Sequence, residues 1–204
     1  PGTDLTFFDW PVDRDRRGAN SIVRTALRVN GAASLAYWDA RLTEQEIPHG
    51  PVHEADGRQQ IAFEDPEGQR LALIDDGGVG PAHSWDKSPV PPEHQIRGLG
   101  PITISVPKLA PSARFLTEVL AMRAVRTYAT HDNAEVHVHA MGDGGPAAEL
   151  HVRIDPQLAA AQPGAGGVHH VAFRIPDADY DAWVERYNRL GVRSSGPVDR
   201  FYFR

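Results

Sequence analysis

A plan of one strand, one helix and further strands recurs along this chain, and this repeat constrains the fold more than any other feature. The three starting segments are residues 21–31, 100–110 and 168–178. Each alternates apolar and polar side chains as a strand does, and a stretch with helical spacing follows each of them. Val29, Val106 and Ile175 hold equivalent places, 77 and 69 positions apart (106 − 29 and 175 − 106). The repeat predicts several copies of one small unit.

Two longer strand-like runs complete this unit. Residues 58–75 predict a hairpin around the turn Asp65–Gly68, and residues 134–155 predict a second hairpin. The unit is therefore β-α-β-β-β, and the predicted fold class is α+β. Residues 75–100 contain four prolines and no hydrophobic period, so we place a linker at 77–97. It separates an N-terminal half at 1–76 from a C-terminal half at 98–204.

Charge and cysteine content narrow the class of protein. The net charge of −6 predicts neither a nucleic-acid partner nor an anionic membrane surface. The absence of cysteine from the 204 residues excludes disulfides, thiolate metal sites and cysteine nucleophiles within them. No apolar run approaches the length of a membrane span, so we expect a cytoplasmic protein without a membrane partner.

The most informative stretch is GGVHHVAFRIP at residues 166–176, because it reads as a strand that opens with two imidazoles. Neighbours on a strand point to opposite faces, so only one histidine can enter a given site. Val171, Phe173 and Ile175 form the face that the following helix should cover. His170 then faces the concavity of the sheet and is the candidate metal ligand, while His169 lies on the helix side.

Other histidines offer weaker alternatives. His137 and His139 share one strand face, and His151 follows on the next strand, so these three side chains could bind a metal. We prefer the interpretation that they belong to a solvated strand face. His94 lies in the predicted linker, where we expect it to fix a turn.

Several segments, in order along the whole chain, resemble bacterial ring-cleaving dioxygenases of the hydroquinone type, within the vicinal oxygen chelate (glyoxalase/extradiol dioxygenase) superfamily. The most specific are PPEHQIRGL and the pairing of VHHVAFRIPD with DRFYFR. The resemblance implies modules that pair into open, cup-shaped mixed sheets with helices on the outer face. It implies oxygen-dependent opening of a dihydroxylated aromatic ring, of the hydroquinone or catechol type. The cofactor would be Fe(II), or Mn(II), on two histidines and one carboxylate.

Residue by residue, the resemblance implies that His170 is a metal ligand, that His169 faces the substrate or supports the ligand, and that Arg200 holds the substrate's oxyanion. The chain departs from the family pattern at both ends. It opens near the last strand of a first module and stops within a fourth module, so we expect a part of a longer enzyme. Units of this fold commonly pair, so a homodimer is also expected. The alternatives are a non-catalytic small-molecule-binding protein of the same fold and, less favoured, a glyoxalase-like metal isomerase.

Overall fold

The computed structural model describes residues 4–198, and two copies of the β-α-β-β-β unit stand out in it. The first copy consists of β1 (Ser21–Val29), α1 (Gly31–Glu44), β2 (His53–Ala55), β3 (Arg58–Glu64) and β4 (Arg70–Asp75). The second copy consists of β5 (Leu99–Val106), α2 (Leu109–Arg114), β6 (Arg123–Ala129), β7 (Glu135–Ala140) and β8 (Glu149–Ile154), with a π-helical turn at Phe115–Val119 after α2. The predicted unit is confirmed for these two segments.

The two units join into one mixed sheet of eight strands in the order β2-β3-β4-β1-β5-β8-β7-β6. Within each unit the first and last strands run parallel, as β1 with β4 and β5 with β8. The units meet where β1 pairs with β5 in antiparallel fashion. Both predicted hairpins are confirmed as antiparallel pairs, β3 with β4 and β7 with β8.

The helices cover one face of the sheet, and the hydrophobic core lies beneath them. Leu35 and Leu42 are seven residues apart, so both lie on the same side of α1. They pack with Val29, Ile61 and Leu73 of the sheet. A second cluster lies beneath α2 and consists of Ile102, Val106, Leu116, Met122, Leu150 and Val152. The α+β class with helices on the outer face is therefore confirmed.

The opposite face of the sheet curls around a cavity, and the alternation of side chains decides which residues face it. On β5, Ile102 and Val106 belong to the core beneath α2, whereas Thr103 and Ser105 line the cavity. This is the division that the sequence pattern predicts.

The third repeat follows its prediction only in part. Its helix is present as α3 (Tyr180–Arg189), and Gly191 ends it with a φ of 64°. The strand predicted at 168–176 is wrong, because a single bridge between Ile22 and Val168 is the only strand pairing of this segment within residues 4–198. The physical reason is that β4 pairs with β1 from Thr25 to Val29, so that side of β1 is open only at its start, where Ile22 bridges to Val168.

Residues 77–97 contain one short 3-10 turn, Pro92–His94, and this turn packs against α1. The indole N–H of Trp38 donates to the carbonyl oxygen of His94 at 2.7 Å, and the Ser34 hydroxyl lies 3.1 Å from Nδ1 of the same histidine. His94 therefore holds a turn, as predicted. The division of the chain at this segment stays a prediction. None of the helices in residues 4–198 is long and apolar enough to cross a membrane.

Candidate functional site

The paired histidines lie on the surface. His169 and His170 are both exposed, and their Nδ1 atoms are 2.9 Å apart. The edge of the Trp10 ring lies against His169, with 5.6 Å between ring centroids. Since the segment is not part of the sheet, the strand argument that aimed His170 into the concavity does not apply, and neither histidine lines the cavity of the cup. Arg200, the third predicted site residue, lies outside the described residues.

A different set of side chains gathers inside the cup. Asp56, Glu149 and His151 bring one possible ligand atom each to within 4.8 Å of one another. Asp56 and Gly57 form the tight turn between β2 and β3, both with positive φ, which is the turn that Asp-Gly favours. Glu149 and His151 are two apart on β8 and so share a face. Within residues 4–198 this is the only group of three with the donor types and spacing of a metal site.

Two arginines already engage both carboxylates of this group. The Arg58 guanidinium donates to Glu149 at 2.8 and 3.1 Å. The Arg126 guanidinium donates to Glu149 at 2.9 Å through each of two nitrogens and also to Asp56. Burial alone would raise the pKa of Glu149, but hydrogen bonds from His151, Arg126 and Arg58 hold it well below its usual range.

His151 completes the network as a neutral ring. Burial lowers its pKa, which outweighs the opposing effect of the carboxylates of Glu149 and Asp56. Its Nε2 lies 3.3 Å from Glu149 and its Nδ1 lies 3.0 Å from the Tyr128 hydroxyl. We therefore assign the proton to Nε2, which donates to Glu149, while Nδ1 accepts from Tyr128. Burial in turn raises the pKa of Tyr128.

The group does not fit a divalent cation as it stands. Its two negative charges are matched by two guanidinium charges, and a metal would bring two further positive charges beside them. We interpret these five side chains as an ion-pair network. It joins the β2–β3 turn of the first unit to β6 and β8 of the second, across as many as 91 positions of sequence.

The cavity itself is large and has a mixed lining. Its volume is about 1260 Å³, and it lies between strands of both units. The apolar part of the wall includes Ala62, Leu71, Val136 and Leu158. Five arginines also line it: Arg14, Arg17, Arg24, Arg70 and Arg153. A cavity with apolar walls and a few charged groups is typical of small-molecule sites.

The prediction that His137, His139 and His151 belong to a solvated strand face is wrong for His139 and His151. His139 is 1% exposed and lies opposite Leu150, on the face beneath α2, and His151 is 4% exposed. Asp56 and Glu149 were not predicted as site residues from the sequence. A usable signal was present, since the Asp-Gly turn marks a strand end and Glu149-x-His151 places two ligand types on one strand face.

Comparisons with known proteins point in one direction. The model of the Glyoxalase/Bleomycin resistance protein/Dioxygenase superfamily matches residues 98–204. The chain belongs to this superfamily. It is 38% identical, over its whole length, to a Bacillus subtilis protein named as a ring-cleaving dioxygenase, MhqA, and covers 66% of it. It is 28% identical to the chlorohydroquinone/hydroquinone 1,2-dioxygenase of Sphingobium indicum, over 89% of this chain and 56% of that protein.

Solved structures agree on the fold of this superfamily member. A structure from Bacillus subtilis, titled as a dioxygenase, covers 98% of this chain and 61% of its own with a TM-score of 0.82 at 26% identity. Glyoxalase I from Zea mays covers 94% of this chain and 64% of its own with a TM-score of 0.52 at 16% identity, which shows the fold alone. The chain thus spans 56 to 66% of the length of the curated relatives named above.

Proposed function

We propose that the protein is a metal-dependent ring-cleaving dioxygenase that acts on a dihydroxylated aromatic, of the hydroquinone or catechol type, with O2 as co-substrate. The observation that carries this proposal is the 38% identity, over all of this chain, to a protein named as a ring-cleaving dioxygenase. The similarity to a chlorohydroquinone/hydroquinone dioxygenase supports the same substrate class. The fold alone does not decide it, because one fold can host many activities.

On this proposal His170 is one ligand of Fe(II) or Mn(II), His169 lies beside the metal and Arg200 holds the anionic oxygen of the substrate. Both imidazoles are exposed, which leaves them free to contact a metal ion that binds outside the cup. Bound there, the metal would bring the diol and O2 together and couple their redox chemistry.

The ligands within residues 4–198 are not sufficient for this metal. A facial site needs two histidines and one carboxylate, and no group of three around His170 is present in the described part of the chain. The proposal therefore requires that the remaining ligands come from outside these residues. We assign no chemical step to the Asp56 network, whose carboxylates are engaged by arginine.

An anaerobic Fe(II) titration of the intact protein, with metal counted per chain, tests the proposal, followed by oxygen uptake with hydroquinone and with catechol. We expect about one iron per chain and oxygen uptake with one of the two diols, both lost in His170→Gln. His83→Gln is the matched control, because His83 is an exposed loop histidine. Failure of the wild-type protein to bind iron or consume oxygen would overturn the proposal.

The second candidate is a non-catalytic small-molecule-binding protein of the same fold. One observation favours it, the open cavity of about 1260 Å³ that neither paired histidine lines. In the same experiment this candidate predicts no iron uptake and no oxygen consumption, so the two functions separate cleanly.

A further inference from the structure

Arg70 is a partly buried cation in the cup that forms no ion pair with any carboxylate of residues 4–198. It begins β4, and its side chain lines the cavity. Within residues 4–198 it takes part in no side-chain hydrogen bond, and no carboxylate oxygen lies within 4.0 Å of it. Arginine is rarely left in this state when it is partly removed from water, since its five donors need acceptors.

The surroundings of Arg70 make its charge more costly. Burial lowers the pKa of Arg70, and the positive charges of Arg17 and Arg153 lower it further, although Glu64 and Asp15 act in the opposite sense. Arg17 and Arg153 line the same cavity as Arg70. A carboxylate bound against Arg70 would offset the cost of burying its charge.

The other two arginines are already neutralised by acids. Arg17 pairs with Glu64 at 2.7 Å, and Arg153 pairs with Asp155 at 2.9 Å and with Asp132 at 2.5 Å. Arg17 and Arg153 therefore have their counter-charges. Arg70 forms no ion pair within residues 4–198, so the carboxylate of a ligand would be its first direct acidic partner there.

The position of Arg17 is fixed before any ligand arrives. Its guanidinium also donates to the carbonyl oxygen of Gly68 at 2.9 Å. The next residue, Gly18, packs so tightly that a Cβ there would lie 2.3 Å from the carbonyl oxygen of Ala159. A site assembled in advance loses little conformational freedom on binding.

We propose that the cup binds a small organic carboxylate, with the anionic group against Arg70 in the cavity that Arg17 and Arg153 also line. The planar guanidinium fork of Arg70 matches the two oxygens of a carboxylate. The apolar wall, with Ala62, Leu71 and Val136, accepts the hydrocarbon part of the same ligand. This site is separate from the paired histidines and does not depend on a bound metal.

Benzoate is the probe for this site, with benzamide as its neutral analogue of similar shape. Binding is measured by calorimetry on the whole protein at low ionic strength. We expect saturable binding of benzoate that is about 10- to 100-fold tighter than that of benzamide. Arg70→Gln should weaken benzoate binding by a similar factor, and Arg70→Lys by less. Arg114→Gln, on the exposed face of α2, is the control and should bind as the wild type does.

Thermal unfolding without ligand supplies an independent readout. Arg70→Gln should unfold at an equal or higher temperature than the wild type, because it removes a partly buried cation that has no ion pair within residues 4–198. Loss of binding together with retained or raised stability supports a ligand site. Equal affinity for benzoate and benzamide, no effect of Arg70→Gln on binding, or a lower unfolding temperature of this variant would each overturn the proposal.

Discussion

Residues 21–31 and 168–178 carry the same alternating pattern, yet only the first segment becomes a strand of the sheet. β1 pairs with β4 on one side and with β5 on the other, whereas the later segment makes one bridge, at Val168. An alternating pattern gives a segment one apolar face, but its backbone groups also need a neighbouring strand. The difference shows that pattern decides which face is buried and that topology decides whether a strand forms.

The side chains of the later segment still follow their pattern. Val171 and Phe173 pack against the core cluster beneath α2, half-buried rather than fully enclosed. The helix α3 has no buried residue, while α1 buries Ser34, Leu35 and Leu42. α3 makes polar contacts with the second unit, in which the Arg186 guanidinium donates to the carbonyl oxygens of Val119 and Glu118. We therefore expect the two regions to contribute unequally to stability.

The largest expected effect comes from the core of the cup. Leu35→Ala should lower the free energy of unfolding by about 3 kcal/mol, because Leu35 is fully buried and its loss leaves a cavity. Phe173→Ala should cost only about 1 kcal/mol, since its ring is partly exposed and its surroundings can close in. Urea unfolding curves of both variants measure the difference. Equal losses would mean that the third repeat is as well packed as the cup.

The ion-pair network gives the next largest effect. Glu149→Ala should destabilise by about 2–3 kcal/mol, because Arg58 and Arg126 would be left partly buried without their acid. Glu118→Gln, in the exposed pair with Arg114, should have no measurable effect. The measurement is again urea unfolding, at neutral pH and low salt. If the two variants behave alike, the network does not join the units.

This network also shows where prediction from sequence stops. Leu35, Ile102 and the hairpin turn at Asp65 follow from spacing within one segment, so they could be predicted. Glu149 and Asp56 meet only because β1 pairs with β5 and the sheet curls, which are contacts between distant parts of the chain. Local periodicity carries no information on such contacts. The same limit explains the misplacement of His170, whose orientation required a strand partner that the segment lacks.

As the pH falls, the cup should lose stability before the third repeat does. Burial lowers the pKa of both His139 and His151, from an ordinary value of 6.5. The unfolded chain then binds protons that the folded protein does not, so this stabilisation is present above about pH 6.5 and is lost as pH falls below it. We therefore expect the free energy of unfolding to fall between pH 7 and pH 5.5, with a contribution from each of the two histidines. Glu149 adds a separate loss only at lower pH, below its ordinary value of 4.5.

A substitution isolates the histidine contribution. Nδ1 of His139 has no hydrogen-bond partner within the described residues, so His139→Leu should raise stability at pH 5.5 and flatten the pH dependence. His83→Gln leaves an exposed loop unchanged and should keep the wild-type profile. Unfolding free energies at pH 7.0, 6.0 and 5.5 test both expectations. An unchanged slope in His139→Leu would show that this ring does not sense acid.

The smallest expected effect on stability belongs to the paired histidines. His170→Gln and His169→Gln should change the free energy of unfolding by less than about 0.5 kcal/mol, because both rings are exposed and only one aromatic contact, Trp10 with His169, is lost. Under the proposed function the same His170 variant loses its iron. If the variants keep their stability and His170→Gln loses iron, His170 serves metal binding. If they lose as much stability as Glu149→Ala, the pair is a structural element of the third repeat. Urea unfolding and metal analysis of one protein preparation therefore decide whether His170 binds the metal or stabilises the third repeat.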